Sequence, residues 1–457
     1  MATSLQFVNE TTVESVPEHV SARNMARFYF AVFWTIIFTG CIRKWMFPGV
    51  TALYLTQDIP IGLAYLYALW TGIYTRGVLF MGIALVGVCI MLQACLQLMV
   101  SGLDVFVAVI GIHNYLFYLP ILLIFPLALT ETYRRRFIWW NLMLSLPMCL
   151  LVVAQTLSPK QAFVNRTSEG DAFGVPGAEV ARVSGTFNFV SFYGIWAGMA
   201  VALTLGEWLQ PKAKRVIHSN WLLLLCTVAV NVCHLVSASR FTIMLAAIAL
   251  VGAMVAATML RSLGAMLAIA GIVIVLPMAA AVAYAISPQA LGIVFERFTG
   301  DRYVDDGQNR LITGVIGFAT DPAFSLVGAG VGIGVDAAHA GNSDAYGFTY
   351  TLSENDLTRN VKELGTPIGM FYVLSRLFFI TCMVLVSVRL VRERKTPHAL
   401  PLSFVLMAQS YQGDWTRSAA MSASQVMVGY AFILGALFNP DAETTEATTN
   451  DFLMRPE

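Results

Sequence analysis

Stretches of about twenty apolar residues recur from one end of this chain to the other, and no other feature limits its fold as severely. A bilayer core about 30 Å thick is crossed by about 20 helical residues at 1.5 Å each. Two of the stretches, Val78–Val100 and Leu263–Ile286, exceed twenty residues and are among the many that contain no charged residue at all. The others lie at Phe28–Ile42, Ile59–Tyr74, Val105–Leu129, Phe137–Leu157, Phe189–Leu209, Trp221–Ser237, Phe241–Leu260, Pro367–Leu390, Leu400–Tyr411 and Met421–Phe438. Hydrophobic residues make up 57% of the chain and charged ones 12%, half the roughly 25% of a soluble domain, so a water-soluble fold is excluded. The expected fold is all-α and membrane-integral, with about twelve transmembrane helices. Leu400–Tyr411 is short for a crossing and reads equally as re-entrant, and Val105–Leu129 reads as an interfacial start before a span at His113–Leu129.

Lysine and arginine set the expected orientation. With the N-terminus in the cytoplasm, Arg76, Arg134–Arg136, Lys212, Lys214, Arg215, Arg261 and the group Arg389, Arg392, Arg394 and Lys395 all fall inside. The order is then a cytoplasmic tail (1–27), five spans (28–157), an outer loop (158–188), spans six to nine (189–286), a large outer loop (287–366), spans ten to twelve (367–438) and a cytoplasmic tail (439–457). Met1–Glu18 lacks the basic start of a cleavable signal peptide, so the first span is expected to stay as a signal anchor. Outside the rule stand Arg43, Lys44, Arg182, Arg240, Arg310, Arg359 and Lys362, among others, and each needs something to hold it there.

Soluble-enzyme signatures are missing. There is no GxxxxGK[ST], HExxH or GxSxG. The run Gly328, Gly330, Gly332, Gly334 reads as a flexible or tightly packed turn, not a dinucleotide cradle. The seven cysteines sit in or beside apolar runs with no CxxC pair, and read as small core residues. Near-neutral charge gives no nucleic-acid surface, and the acidic stretch Asp301, Asp305, Asp306 suits a divalent ion but is weak evidence for one, so no metal is expected. No cofactor is expected. Asn165-Arg166-Thr167 matches a glycosylation sequon by chance.

The outer arginines carry the chemistry. His234, Ser237 and Arg240 recur at intervals of three and are expected on one helix face. Arg240 reads either as snorkelling to headgroups or as an anion clamp below the outer interface. Arg182 precedes the sixth span and Arg310 opens a helical stretch, Asn309–Thr320; each suits a phosphate, or a salt bridge with Glu179, Asp305 or Asp306. Glu354 and Asp356, ahead of Arg359 and Glu363, are candidate proton acceptors or a solvated helix face. His113, His234 and His339 are further candidates. Asp58 before Pro60 reads as a helix start.

Four stretches together resemble a known superfamily, the bacterial O-antigen polymerases and O-antigen ligases. They are Gly111–Pro120, Arg182–Asn188, Ser237–Arg240, and the series Asn309-Arg310, Pro322, Gly328–Gly332, Glu354-Asn355-Asp356 and Glu363–Gly365. The resemblance runs from about Phe28 to Phe438, and is nearest the exopolysaccharide polymerase branch. It implies a type-C glycosyltransferase-like fold in the bacterial inner membrane, with the active site facing the periplasm. It implies a glycan on undecaprenyl diphosphate as substrate, with flippase and chain-length regulator proteins as partners. It also implies metal-independent, inverting transfer. Diphosphate binding would fall to Arg182, Arg240 and Arg310, with Arg359 beside them. Glu354 stands where ligases commonly have a histidine, which favours a polymerase. His113 stands where the family often has arginine. A ligase remains the alternative, with a membrane transporter or an export scaffold as rivals of other classes.

Overall fold

The computed structural model describes residues 18–50, 53, 55–168, 181–299, 316–320, 325–335, 355–412, 415–416 and 419–439. These residues are all-α, apart from isolated bridge positions at Thr167 and Ala181. The helices are α1 (Glu18–Cys41), continued by a π-helical turn at Ile42–Met46, α2 (Asp58–Thr71), α3 (Val78–Val100), α4 (Val105–Leu116), α5 (Ile121–Ala128), α6 (Glu131–Leu157), α7 (Val190–Leu209), α8 (Asn220–Leu235), α9 (Arg240–Leu260), α10 (Leu263–Ile286), α11 (Pro288–Thr299), α12 (Asp356–Leu364), α13 (Thr366–Arg394), α14 (Ala399–Gln412) and α15 (Ala419–Phe438).

The chain is a multi-pass membrane protein. Among the described residues, nine helical segments are long and apolar enough to cross a bilayer, not about twelve. The three that fall short are α2, α8 and α14, at 14, 16 and 14 residues. At 1.5 Å per residue these reach only about 21–24 Å. Packing explains how α14 is accommodated: Leu400, Leu402, Val405 and Leu406 are fully buried among neighbouring helices. Asp104 caps α4, accepting from the N–H groups of Phe106 (2.8 Å) and Val107 (3.2 Å), so a regular helix already starts at Val105. The break comes later, in the turn between Leu116 and Ile121.

α7 is the centre of the bundle: 94% of its apolar window is buried, against 17% for α3 and α10, whose free faces are left to lipid. Glycine lets α7 meet its neighbours closely. A Cβ at Gly194 would lie 2.8 Å from Thr242 Cγ2, and one at Gly198 would lie 2.9 Å from Val405 Cγ1.

The two ends of the bundle differ. At the basic end, Arg134 Nη1 donates to the carbonyls of Leu129 (2.8 Å), Gly435 (3.1 Å) and Asn439 (2.9 Å). Arg135 donates to the Lys214 carbonyl at 2.8 Å, and Arg394 to the Ala436 and Leu437 carbonyls at 2.7 Å. Buried Glu207 accepts there from the Val216 N–H at 2.7 Å and lies 3.0 Å from His398 Nε2. The opposite, loop end carries residues 158–168 and 181–189, the 325–335 turn and α12.

Candidate functional site: a clamped arginine turn and a buried ion cluster

The segment before α7 is held from three sides. Lys44, 1% exposed in the middle of the π-helical turn, donates to Ser184 Oγ (3.0 Å), the Gly185 carbonyl (3.0 Å) and the Phe187 carbonyl (3.1 Å). Gln155 of α6 accepts from the Gly185 N–H at 2.9 Å and returns a hydrogen bond to its carbonyl at 3.1 Å. Gly185 has φ +55, and a Cβ there would run into Met148. Asn165 braces Gln155 in turn, donating to the carbonyls of Gln155 (2.9 Å), Ser158 (3.1 Å) and Pro159 (2.9 Å). With its amide buried and used in this way, the sequon residue is a structural brace, not a glycan acceptor.

This scaffold surrounds a small polar pocket lined by Arg182, Asn188, Gln155, Asn165, Thr167 and Ser184, among others. Arg182 is half-buried. Arg240 is half-buried too and opens α9 at the same level. Gly252 meets Pro401 and Gly198 meets Val405. At 1.5 Å per residue, the starts of α9 and α7 then both reach the height where α14 ends, about 10–18 Å up from those contacts.

His234, Ser237 and Arg240 do not share a helix face. α8 ends at Leu235, Ala238 adopts φ 52, and a new helix begins at Arg240. Ser237 Oγ donates to the His234 carbonyl (2.7 Å) and lies 2.6 Å from Thr242 Oγ1, which ties the two helices together. His234 is buried, with Nδ1 2.7 Å from the Val230 carbonyl. A period-three pattern cannot reveal a left-handed residue that breaks the helix inside it.

The second constellation is a buried ion cluster on α12. Asp356 pairs with Arg359 on its own helix and with Arg376 Nη1 of α13 at 2.5 Å. It also accepts from the N–H groups of Trp415 (3.2 Å) and Thr416 (3.4 Å). Arg376 stacks over the Trp415 ring, 4.2 Å from its centroid. Burial opposes the Asp356 charge, but the Arg359 and Arg376 guanidiniums outweigh it and hold the carboxyl below its usual range. Asp356 is therefore the counter-ion of two arginines rather than an open proton acceptor. Arg359, 2% exposed and taken up by Asp356, the Gly334 carbonyl (2.9 Å) and Thr416 Oγ1 (2.7 Å), faces no open ligand site. The sequence marks these two as candidate base and diphosphate contact; in the structure they pair with each other and with Arg376.

Glu363, two turns further along the same face of α12, docks the glycine turn. Its carboxylate accepts from the Gly334 N–H (2.9 Å) and the Tyr115 hydroxyl (2.8 Å), and its carbonyl accepts from Gln97 Nε2 (2.7 Å). Burial pushes this carboxyl up, with Arg359, Tyr115 and the glycine N–H groups only partly offsetting it. Gln97 also accepts from the Val331 N–H at 2.7 Å. Gly332 has φ +91, and a Cβ at Gly111 of α4 would sit 2.6 Å from its nitrogen. The glycine run is thus a tightly packed turn wedged between α3, α4 and α12.

His113 pairs with Asp58 at 3.1 Å, and Tyr118 donates to the same carboxylate at 2.6 Å, so Asp58 begins α2 and also anchors α4 to it. Arg310, Glu354 and His339 lie outside the described residues, as does most of Asn309–Thr320. In the sequence Lys44 stands out only as an exception to the basic-residue rule, and Gln97, Gln155 and Arg376 are not singled out. Two of them left a signal: Lys44 breaks the basic-residue rule, and Arg376 is a charge inside an apolar run. Glutamines serving backbone groups of distant segments leave none.

No family model, curated protein or solved structure matches this chain.

Proposed function

We propose that this protein is a membrane glycosyltransferase that joins oligosaccharide repeat units carried on undecaprenyl diphosphate, on the extracytoplasmic face of a bacterial inner membrane. The observation that carries the reading is the clamped turn: Arg182 lines a polar pocket, Arg240 stands level with it, and both lie at the end of the bundle away from the dense basic clusters. Basic clusters mark the cytoplasmic side, so the arginine turn faces outward. Short motifs resembling O-antigen polymerases supply the substrate class.

In this reading an acceptor hydroxyl of one lipid-linked unit attacks the anomeric carbon of another. The bond from that carbon to the diphosphate oxygen breaks, and the electron pair leaves with the diphosphate. Arg182 and Arg240, with Arg310 as the third arginine, offset the charge that develops there. Of the two carboxylates singled out in the sequence, Glu354 is the one assigned to take the hydroxyl proton, since Asp356 is occupied by Arg359 and Arg376.

The test is reconstitution. Purified protein in proteoliposomes, given lipid-linked repeat units and no nucleotide sugar, is expected to yield a ladder of lengthened lipid-linked products. Transfer of glycan to a different acceptor without a ladder points to a ligase, and no transfer at all overturns the reading.

A further inference from the structure

Below the arginine turn, several buried side chains near one depth carry polar atoms without hydrogen-bond partners. Their depth follows from helix register. Gly198 of α7 meets Val405 of α14, Gly429 of α15 meets Leu406 of α14, and the Phe379 ring of α13 lies 5.1 Å from that of Tyr430. Within a turn of those contacts, toward the loop end, stand Trp196 on α7, Gln409 on α14, Gln425 on α15 and Arg376 on α13. Asn188 stands higher, ahead of the first turn of α7, lining the pocket beside Arg182. All five are more than nine-tenths buried. Unfilled on them are Trp196 Nε1, Gln409 Oε1, both polar atoms of Gln425 and of Asn188, and Arg376 Nε and Nη2.

A buried polar atom without a partner costs about 1–3 kcal/mol, and folded proteins keep only a few per hundred residues. Four such side chains at one level of one bundle, with Asn188 in the pocket above them, point to an occupant. Its chemistry follows from the inventory: donors and acceptors are mixed, and the guanidinium among them already pairs with Asp356. An anion would leave the carboxamide oxygens unmatched, and an apolar chain would match nothing. A group bearing several hydroxyls, each both donor and acceptor, matches all of them.

We infer that the sugar moiety of the substrate enters the bundle beneath the arginine turn and is held by Asn188, Trp196, Arg376, Gln409 and Gln425. The identity of the sugar-bearing ligand rests on the proposed function; the set of unpartnered buried polar atoms does not.

The experiment compares two probes on full-length protein in nanodiscs: undecaprenyl diphosphate carrying the host's repeat unit, and undecaprenyl diphosphate alone. Wild type should bind the glycosylated lipid more tightly. The double variant Gln409→Leu, Gln425→Leu should lose about tenfold or more of that affinity, down to that of the bare lipid, which should bind as before. Trp196→Phe keeps the packing, removes one donor and should lose about fivefold. Unchanged affinity for the glycosylated lipid in both variants, or an equal loss for both lipids, overturns the inference. If wild type binds neither lipid, the polymerase reading fails and the chamber is judged by hydroxyl-radical footprinting. Oxidation of Trp196 well above that of buried Trp415 supports a polar chamber open to water; protection equal to that of Trp415 overturns it.

Discussion

Lys44 and Ser184 meet at 3.0 Å across 140 residues of chain, joining the end of the first helix to the turn that carries Arg182. An ammonium this buried has given up its hydration, and three neutral oxygens of one turn replace that shell. The turn's shape therefore depends on the lysine, and the lysine's burial depends on the turn.

Lys44→Met should release the turn. Hydrogen bonds to a charged donor contribute about 1.5–3 kcal/mol each and are not additive, so a loss of about 2–4 kcal/mol is expected. Thermal unfolding in detergent measures it. Lys44→Arg should not restore stability, because a planar fork does not fit the space of a point charge contacting three oxygens.

Gly111→Ala should lever the glycine turn off α4, since the new Cβ would sit 2.6 Å from the backbone of Val331 and Gly332. A cost of about 1–3 kcal/mol is expected, with faster hydrogen exchange across residues 327–335. Gly62→Ala, which meets nothing within 4 Å, should leave both readouts unchanged.

The two carboxylates of α12 should respond differently to loss of charge. Asp356→Asn leaves Arg359 and Arg376 buried without their counter-ion and should cost about 3–5 kcal/mol. Glu363→Gln should cost well under half of that, because burial already favours the uncharged form. Equal losses in chemical unfolding would contradict the assignment of charge within this cluster.

Acidification tests the same cluster. The folded value of Asp356 lies below its unfolded one, so its contribution is complete above about pH 4 and is lost as pH falls through the folded value. Glu363 has the opposite sign: its folded value is raised, so its contribution is present at low pH and lost as pH rises through that value. Hydrogen exchange of α12 should therefore accelerate at strongly acid pH in wild type, and the acid-induced change should vanish in Asp356→Asn.

Arg240→Ala should leave the protein at its normal level in the membrane while cells accumulate single, unpolymerised repeat units. Arg182→Ala should do the same. Normal long-chain polysaccharide in either mutant, read on a gel of extracted glycans, would remove that arginine from the proposed site.

The amino-acid sequence alone determined that this is an all-helical membrane protein, because the length and apolarity of Val78–Val100 or Leu263–Ile286 allow little else. It determined where basic residues gather, and it singled out Arg182 and Arg240 as charges in an unexpected place. Tertiary structure decided the rest. How the short α14 is accommodated follows from packing partners that hydropathy does not register, which bury Leu400, Leu402, Val405 and Leu406. Ala238 takes a left-handed conformation that splits His234 from Arg240, and no side-chain pattern announces it. Asp356 became a counter-ion because α13 brings Arg376 to it from 20 residues away. Periodicity and composition are local properties. A buried charge takes its meaning from whichever neighbour arrives to pair with it, and for Lys44, Asp356 and Arg359 that neighbour is a matter of fold.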